Sequence, residues 1–402
     1  QEALSTSLIR QPIFDRHRRV FGYELLYPDN IAVEQYQPLF EKKHATKRIL
    51  EHFASHFVSG ELCRLPAFIT VSAIQILSEK TLPIEPDQVV LNIVAIDSLS
   101  DRLIEALSQF KDQGFGICLG VNDCPDADHS NADFVDYYRL DVSDLDAVAI
   151  SQMRLGGDRE KISFLACGVD DGSLYEACVA SGFDLFQGAY YESAANTLET
   201  DRENFKTRAL SVLGYVYAPE ADISVVARKI SFDDELTEQL LAIINSAAYG
   251  LIRKIDKLHD AIVFLGFEQV KRWVTLIVFS EAGEAPPEFL RTLLIRGRCC
   301  ELYAMRQKLA APDRFFTTGL FSGIDALLEE DLSFLIADLG LSGDIGEAIV
   351  SYEGEMGRLL QASIQFDHGR WEQISEDIDV ALLSRCYSDS ILWCEKITAA
   401  IR

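Results

Sequence analysis

Residues 1–195 of the sequence predict an α/β barrel, TIM-like but with an antiparallel first strand, and residues 196–402 predict an all-helical domain. Three observations carry this reading. Eight short apolar runs alternate with helical patterns in the first half, which is the signature of parallel strands joined by crossover helices. Only Asp15–Arg19 separates the first two runs, too few residues for a parallel crossover but enough for a hairpin. After Tyr191 the strand pattern stops and apolar residues recur at helical spacing to Arg402.

The eight runs are Leu8–Phe14, Val20–Tyr27, Ala67–Ser72, Val89–Val94, Phe115–Val121, Phe134–Asp141, Ile162–Gly168 and Phe183–Gln187. Lys43–Val58, Leu99–Asp112 and Ser173–Ala180 have the spacing of the intervening helices. Eight strands in so short a stretch fit a compact barrel. Asn196, Thr197, Glu199 and Asp201 are start signals for the helix that enters the second domain. There, Leu236, Leu240, Leu241, Ile243, Ile244 and Ala247 form one helical apolar face. Gly250 is a cap for it, and Pro286-Pro287 and Pro312 mark later breaks.

Composition narrows the function. The formal net charge is −26, shared between the two halves, so nucleic acid and anionic membrane surfaces would meet a repulsive field. No apolar run is long enough to span a bilayer, and Gln1-Glu2-Ala3-Leu4 does not open a secretory leader. Nine cysteines, an odd number with no C-x-x-C pair, argue against a disulfide framework or zinc knuckle. A cytoplasmic protein with no membrane insertion and no nucleic-acid partner is expected.

Two resemblances follow from motifs. Arg10-Gln11-Pro12-Ile13-Phe14-Asp15 and Val20-Phe21-Gly22-Tyr23-Glu24-Leu25-Leu26 resemble the opening hairpin of an EAL domain, Q-P-I-x-D…V-x-G-x-E-A-L-x-R. Arg139-Leu140-Asp141 resembles that family's K-x-D strand, Cys167-Gly168-Val169-Asp170 its E-G-V-E, and Phe186-Gln187-Gly188 its late Q-G-Y. Leu240 to Gly250, with Asn245-Ser246-Ala247, then Ala261-Ile262-Val263-Phe264-Leu265-Gly266, resemble the HDOD domain. Its later G-L-[LF] helix is similar to Gly319-Leu320-Phe321. The chain is thus identified as similar to two-domain EAL–HDOD signalling proteins.

Active EAL domains hydrolyse cyclic di-GMP with two Mg²⁺ or Mn²⁺ ions held by a carboxylate cluster, because hard cations take oxygen ligands. Carried across position by position, Glu24 and Asp141 survive, and Asp170 stands for the last glutamate. Thr70 replaces the expected asparagine, Asn92 a glutamate, Gly120 and Val121 the paired aspartates, and Cys167 another glutamate. Arg139 stands for the lysine, and a guanidinium does not readily give up a proton. Asp123 lies near the missing pair but is shifted along the rim. Of the nucleotide contacts the resemblance implies, Gln11 and Gln187 survive, while Pro28 or Tyr27 takes the arginine position. The vestigial pocket is therefore Gln11, Glu24, Arg139, Asp141 and Gln187, and the expectation is a structural role, Gln11 and Gln187 satisfying buried backbone groups and Glu24 paired at the barrel mouth.

The HDOD half resembles HD phosphohydrolases without their ligands, with Ser322-Gly323 where an active relative reads G-L-L-H-D. His259-Asp260 reads as a helix start, and Asn245 and Ser246 as helix-bridging core polar residues. Trp273, Trp371 and Trp393 read as core, and Gly283–Pro287 as an exposed loop. The expectation is a non-enzyme with no metal and no cofactor, acting on other signalling or regulatory proteins in cyclic di-GMP, motility or biofilm control. Self-association into a homodimer stays open. The rivals are a cyclic di-GMP receptor, with Arg10, Arg139 and Tyr27 as candidate replacements for the lost arginine, and a residual phosphodiesterase.

Overall fold

In a computed structural model, the structure describes residues 9–26, 65–78, 88–94, 99–120, 134–152, 162–192, 199–218, 222–245, 254–280, 287–341 and 343–401, with positions 81, 82 and 86. The expected helix at Lys43–Val58 and loop at Gly283–Pro286 lie outside the described residues, as do Tyr27, Pro28, Val121, Asp123 and Ser246. The chain divides into two compact units. One is Gln1–Ser193 with Asp367–Glu372, and the other is Ala194–Phe366 with Gln373–Arg402.

The first unit is a closed eight-stranded barrel in sequential order, β1 to β8. Its strands are β1 (Ile9–Asp15), β2 (Val20–Leu26), β3 (Ala67–Ser72), β4 (Val89–Val94), β5 (Gly116–Gly120), β6 (Tyr137–Asp141), β7 (Ser163–Cys167) and β8 (Leu185–Gln187). As the short β1–β2 gap requires, β1 is antiparallel to both β2 and β8, and every other pair is parallel. Among the described residues, four helices accompany the strands: α1 (Ala73–Ser78), α2 (Asp101–Asp112), α3 (Ala147–Gln152) and α4 (Gly172–Ser181). Ser100 caps α2 through Leu103 N, and Asp171 caps α4 through Ser173 N and Leu174 N. Gly182 closes α4 at φ 94°, a left-handed value that glycine adopts without strain. A 3₁₀ turn, Ala189–Glu192, follows β8.

Alternation along each strand sorts the side chains into two cores. Ile13, Phe68, Val90, Cys118, Leu165, Cys167 and Leu185 fill the barrel interior. Ile69, Leu91, Ile117, Tyr138, Phe164 and Phe186, on the opposite face, pack in the larger core with helix residues such as Leu103 and Leu107. The hairpin breaks the alternation once. Its register passes from Ile13↔Gly22 to Phe14↔Val20, so Phe21 has no partner strand residue and bulges. The bulge lets Phe21 join the interior core while Glu24, three positions on, also faces inward.

The second unit is all helical. It contains α5 (Glu199–Tyr217), α6 (Ile223–Ser231), α7 (Asp234–Ile244), α8 (Leu258–Leu265), α9 (Phe267–Ser280), α10 (Pro287–Gln307), α11 (Pro312–Phe321), α12 (Ile324–Leu328), α13 (Leu332–Asp338), α14 (Gly343–Val350), α15 (Gly354–Asp367) and α16 (Val380–Ile401). Its centre is α10 against α11, where the two backbones meet at glycines. A Cβ on Gly319 would stand 2.6 Å from Gly297 Cα, and one on Gly297 would stand 2.9 Å from Phe316 O. Trp273 is buried and its ring stacks on Trp393, with centroids 5.9 Å apart. Among the described residues no helix is long and apolar enough to cross a membrane.

Candidate functional site

The inward-facing positions near the carboxyl ends of the parallel strands hold the polar residues of the barrel. This is the end at which barrels of this kind build their sites. Glu24, on β2, is only 3% exposed and is the centre of the group. Its Oε1 accepts from Arg139 Nη1 at 2.6 Å, Asn92 Nδ2 at 3.2 Å and Thr70 Oγ1 at 3.3 Å. Its Oε2 accepts from Gln187 Nε2 at 2.7 Å. Thr70 and Asn92 are paired in the β3–β4 register, so both reach the same oxygen, and Asn92 Nδ2 also donates to Thr70 Oγ1 at 3.1 Å. The four donors match the lone-pair capacity of a carboxylate, which is about four sites.

The electrostatics agree with that geometry. Burial works to raise the Glu24 pKa, but the Arg139 charge and the hydrogen bonds from Gln187, Arg139 and Thr70 hold it below the ordinary value of 4.5. Burial lowers the pKa of Arg139, yet the surrounding acidic groups, Glu24 among them, raise it overall. The pair is therefore ionised, Glu24 negative and Arg139 positive. Cys167 is different. Burial pushes its thiol up to about 12, so it stays protonated and donates to Gln187 Oε1 at 3.2 Å.

Gln187 links this cluster to the rim, because its Nε2 also donates to Gln11 Oε1 at 3.0 Å. Gln11 Nε2 in turn donates to the backbone carbonyl of Asp367 at 3.4 Å. Of the pocket read from the sequence, Gln11, Glu24, Arg139 and Gln187 thus form one network, together with Thr70, Asn92 and Cys167. Asp141 is not in it. Its Oδ1 accepts from Ser143 N at 3.0 Å and Ser143 Oγ at 2.7 Å, closing the turn that follows β6. Gly120 ends β5 as a buried glycine and offers no side chain. Asp170 accepts from Ala189 N at 3.1 Å and pairs with Arg370.

The same unit holds a group that sequence reasoning did not single out. Carboxylate oxygens of Glu192 and Asp367 and a ring nitrogen of His368 lie within 4.8 Å of one another. Nothing local signals it, because Glu192 and His368 are 176 positions apart.

In the helical unit, Asn245 ends α7 and acts on the main chain. Its Nδ2 donates to Leu241 O at 2.8 Å and Ile255 O at 2.7 Å, and its Oδ1 accepts from Ile255 N at 2.8 Å. It therefore pins the start of the next described segment to the end of its own helix. His259 and Asp260 lie in the first turn of α8. Ser322, beyond α11, accepts from Arg296 Nη1 at 3.1 Å, and Gly323 N-caps α12. Buried Glu301 bridges two guanidinium groups, Arg272 at 2.6 Å and Arg298 at 2.5 Å.

A closed barrel with an antiparallel first strand, followed by an all-helical unit, fits the two-domain EAL–HDOD organisation, and residues 204–329 match the HDOD domain family. Over nearly its whole length the chain is similar to two bacterial proteins. YuxH of Bacillus subtilis is 25% identical over 97% of this chain and 98% of its own. The cyclic di-GMP phosphodiesterase CdgJ of Vibrio cholerae is 27% identical over 92% of this chain and 87% of its own. Among solved structures, the Bacillus subtilis YkuI protein, with an EAL domain and in complex with c-di-GMP and calcium, is 18% identical. That match covers 64% of this chain and 71% of YkuI, with a TM-score of 0.34.

Proposed function

We propose that this protein is a non-catalytic, cytoplasmic signalling adaptor of the cyclic di-GMP network, binding other regulatory proteins in the control of motility or biofilm formation. The observation that carries the reading is the saturation of Glu24. The carboxylate that would anchor a divalent ion already accepts from Arg139, Asn92, Thr70 and Gln187. A metal at Oε1 would have to displace a guanidinium 2.6 Å away, and that guanidinium already supplies the positive charge.

The residues present also do not fit a two-metal site. Hard cations take six or more oxygen ligands in the case of Ca²⁺ and near-octahedral oxygen in the case of Mg²⁺. Here the ligand positions implied by the resemblance to EAL domains hold Thr70, Asn92, Gly120 and a protonated Cys167, and Asp141 is committed to Ser143. The same network favours a rigid barrel, since its hydrogen bonds tie β1, β2, β3, β4, β6, β7 and β8 together.

The name of the Vibrio cholerae relative favours a second reading, residual cyclic di-GMP hydrolysis. Calorimetric titration of the full chain with cyclic di-GMP in excess Mg²⁺ or Mn²⁺, with product analysis of the same sample, separates the readings. The adaptor reading expects neither heat nor product. Heat with intact nucleotide would replace it with a receptor, and a linear dinucleotide would replace it with an enzyme.

A further inference from the structure

The barrel unit contains one stretch from far along the chain, Asp367–Glu372. From this segment we infer a latch: the turn at His368–Arg370 is seated on the barrel rim and closes the Gln11–Gln187 side of the polar network to solvent and small ligands. The latch requires no catalytic power of the network.

Three anchors place the turn. Gln11 Nε2 donates to Asp367 O at 3.4 Å, His368 Nε2 lies 2.9 Å from Glu192 Oε1, and Arg370 pairs with Asp170. Their partners come from three places that share the carboxyl-end rim: the start of antiparallel β1, the loop after β7, and the 3₁₀ turn after β8. Gly369 lies at the tip, with φ +71°, and a Cβ there would stand 3.1 Å from Gln11 Nε2 and 3.8 Å from Leu26 Cδ1. The backbone of the turn is therefore pressed directly onto β1 and β2. The hydrogen-bond chain runs unbroken from Cys167 through Gln187 and Gln11 to the Asp367 carbonyl, so any ligand using the two glutamine amides must first lift the turn.

The anchors also say how the latch opens. Arg370 and Asp170 have side-chain exposures of 44% and 40%, so salt screens this pair strongly. Glu192 and His368 are more sheltered, at 13% and 17%. Loss of one of these two side-chain anchors loosens the turn, and loss of the two together leaves only the Gln11 contact to the Asp367 carbonyl and releases it.

The test is hydrogen–deuterium exchange on the full chain, for the wild type, Arg370→Ala and the double variant His368→Ala/Arg370→Ala. Far-UV circular dichroism and the exchange of β3 to β6 report that the barrel stays folded. A seated latch predicts protected amides at 367–372 in the wild type. It predicts exchange there faster by about fivefold to tenfold in the double variant, the fold-change for losing one exposed ion pair and one sheltered side-chain hydrogen bond. Raising the salt should speed exchange at 367–372 in the wild type and have little further effect in Arg370→Ala. As a second reading of the same event, Gln11→Cys should be alkylated faster in the double-variant background than alone. Unprotected amides at 367–372 in the wild type, or the same rates in all three proteins, would overturn the latch. The exchange rates are read without nucleotide and the titration is read without them, so the latch and the adaptor reading fail separately.

Discussion

At the scale of single residues, Glu24 and Arg139 govern the barrel interior. Removing one partner of a buried ion pair leaves the other charge uncompensated, typically at about 3–5 kcal/mol. Arg139→Met is therefore expected to lower the unfolding free energy of the barrel unit by that order, read as a fall in its urea midpoint. The pH dependence has a definite sign. Glu24 has its folded pKa held below 4.5, so the unfolded chain takes up the proton first. The stability contributed by its ionised form is complete above the unfolded value and is lost as pH falls through the lowered folded value. In Glu24→Gln, stability should fall less steeply over that acid range, as read by denaturant midpoints at a series of pH values. A curve parallel to the wild type would show that Glu24 is not ionised in the folded state. Cys167, buried with its pKa pushed up to about 12, should resist alkylation near pH 8 until the barrel unfolds.

Single elements show where backbone geometry, more than side-chain chemistry, sets the tolerance. Gly297 and Gly319 let α10 and α11 cross with almost no side chain between them. Gly319→Ala places a methyl group 2.6 Å from Gly297 Cα, backbone that cannot swing aside, so the helices must separate. Overpacking of this kind costs about 1–3 kcal/mol or more, seen as a lowered melting temperature of the helical unit. Gly214 in α5, by contrast, has nothing within 4 Å of the place a methyl group would take, and Gly214→Ala should be neutral or slightly stabilising. At the end of α7, Asn245→Ala removes three hydrogen bonds to the main chain and leaves Ile255 N and O without that partner. The expected loss is about 1–3 kcal/mol, with faster amide exchange at residues 254–257 as the local signature.

For the whole molecule, the two compact units carry separate cores, so a single unfolding free energy does not describe the chain. Arg139→Met and Gly319→Ala lie in different cores, and their effects should add to within about 0.5 kcal/mol. Segment-resolved exchange should assign the first loss to the barrel and the second to the helices. The net charge of −26 acts at this scale as well. It opposes association with nucleic acid at low salt, where attraction for a basic protein would be strongest, so no retention on immobilised DNA is expected at low ionic strength.

Much of the fold was legible along the chain. The spans Ala67–Ser72 and Val89–Val94 coincide with β3 and β4, because a short, nearly continuous apolar run is what a parallel strand buried on both faces requires. The short Asp15–Arg19 connection dictated an antiparallel first strand, since no crossover fits in it. Residue types alone also showed that Thr70, Asn92 and Cys167 stand where the resemblance expects metal ligands. Tertiary structure decided which of these side chains meet. Barrel closure and strand register bring Thr70, Asn92, Arg139 and Gln187 onto one carboxylate, whereas a local turn at Ser143 takes Asp141 away from it. The bulge at Phe21 and the joining of Asp367–Glu372 to the barrel unit left no trace in the periodicity. Periodicity encodes the local backbone and its buried face, while contacts between residues more than a hundred positions apart depend on how the closed chain brings its ends together.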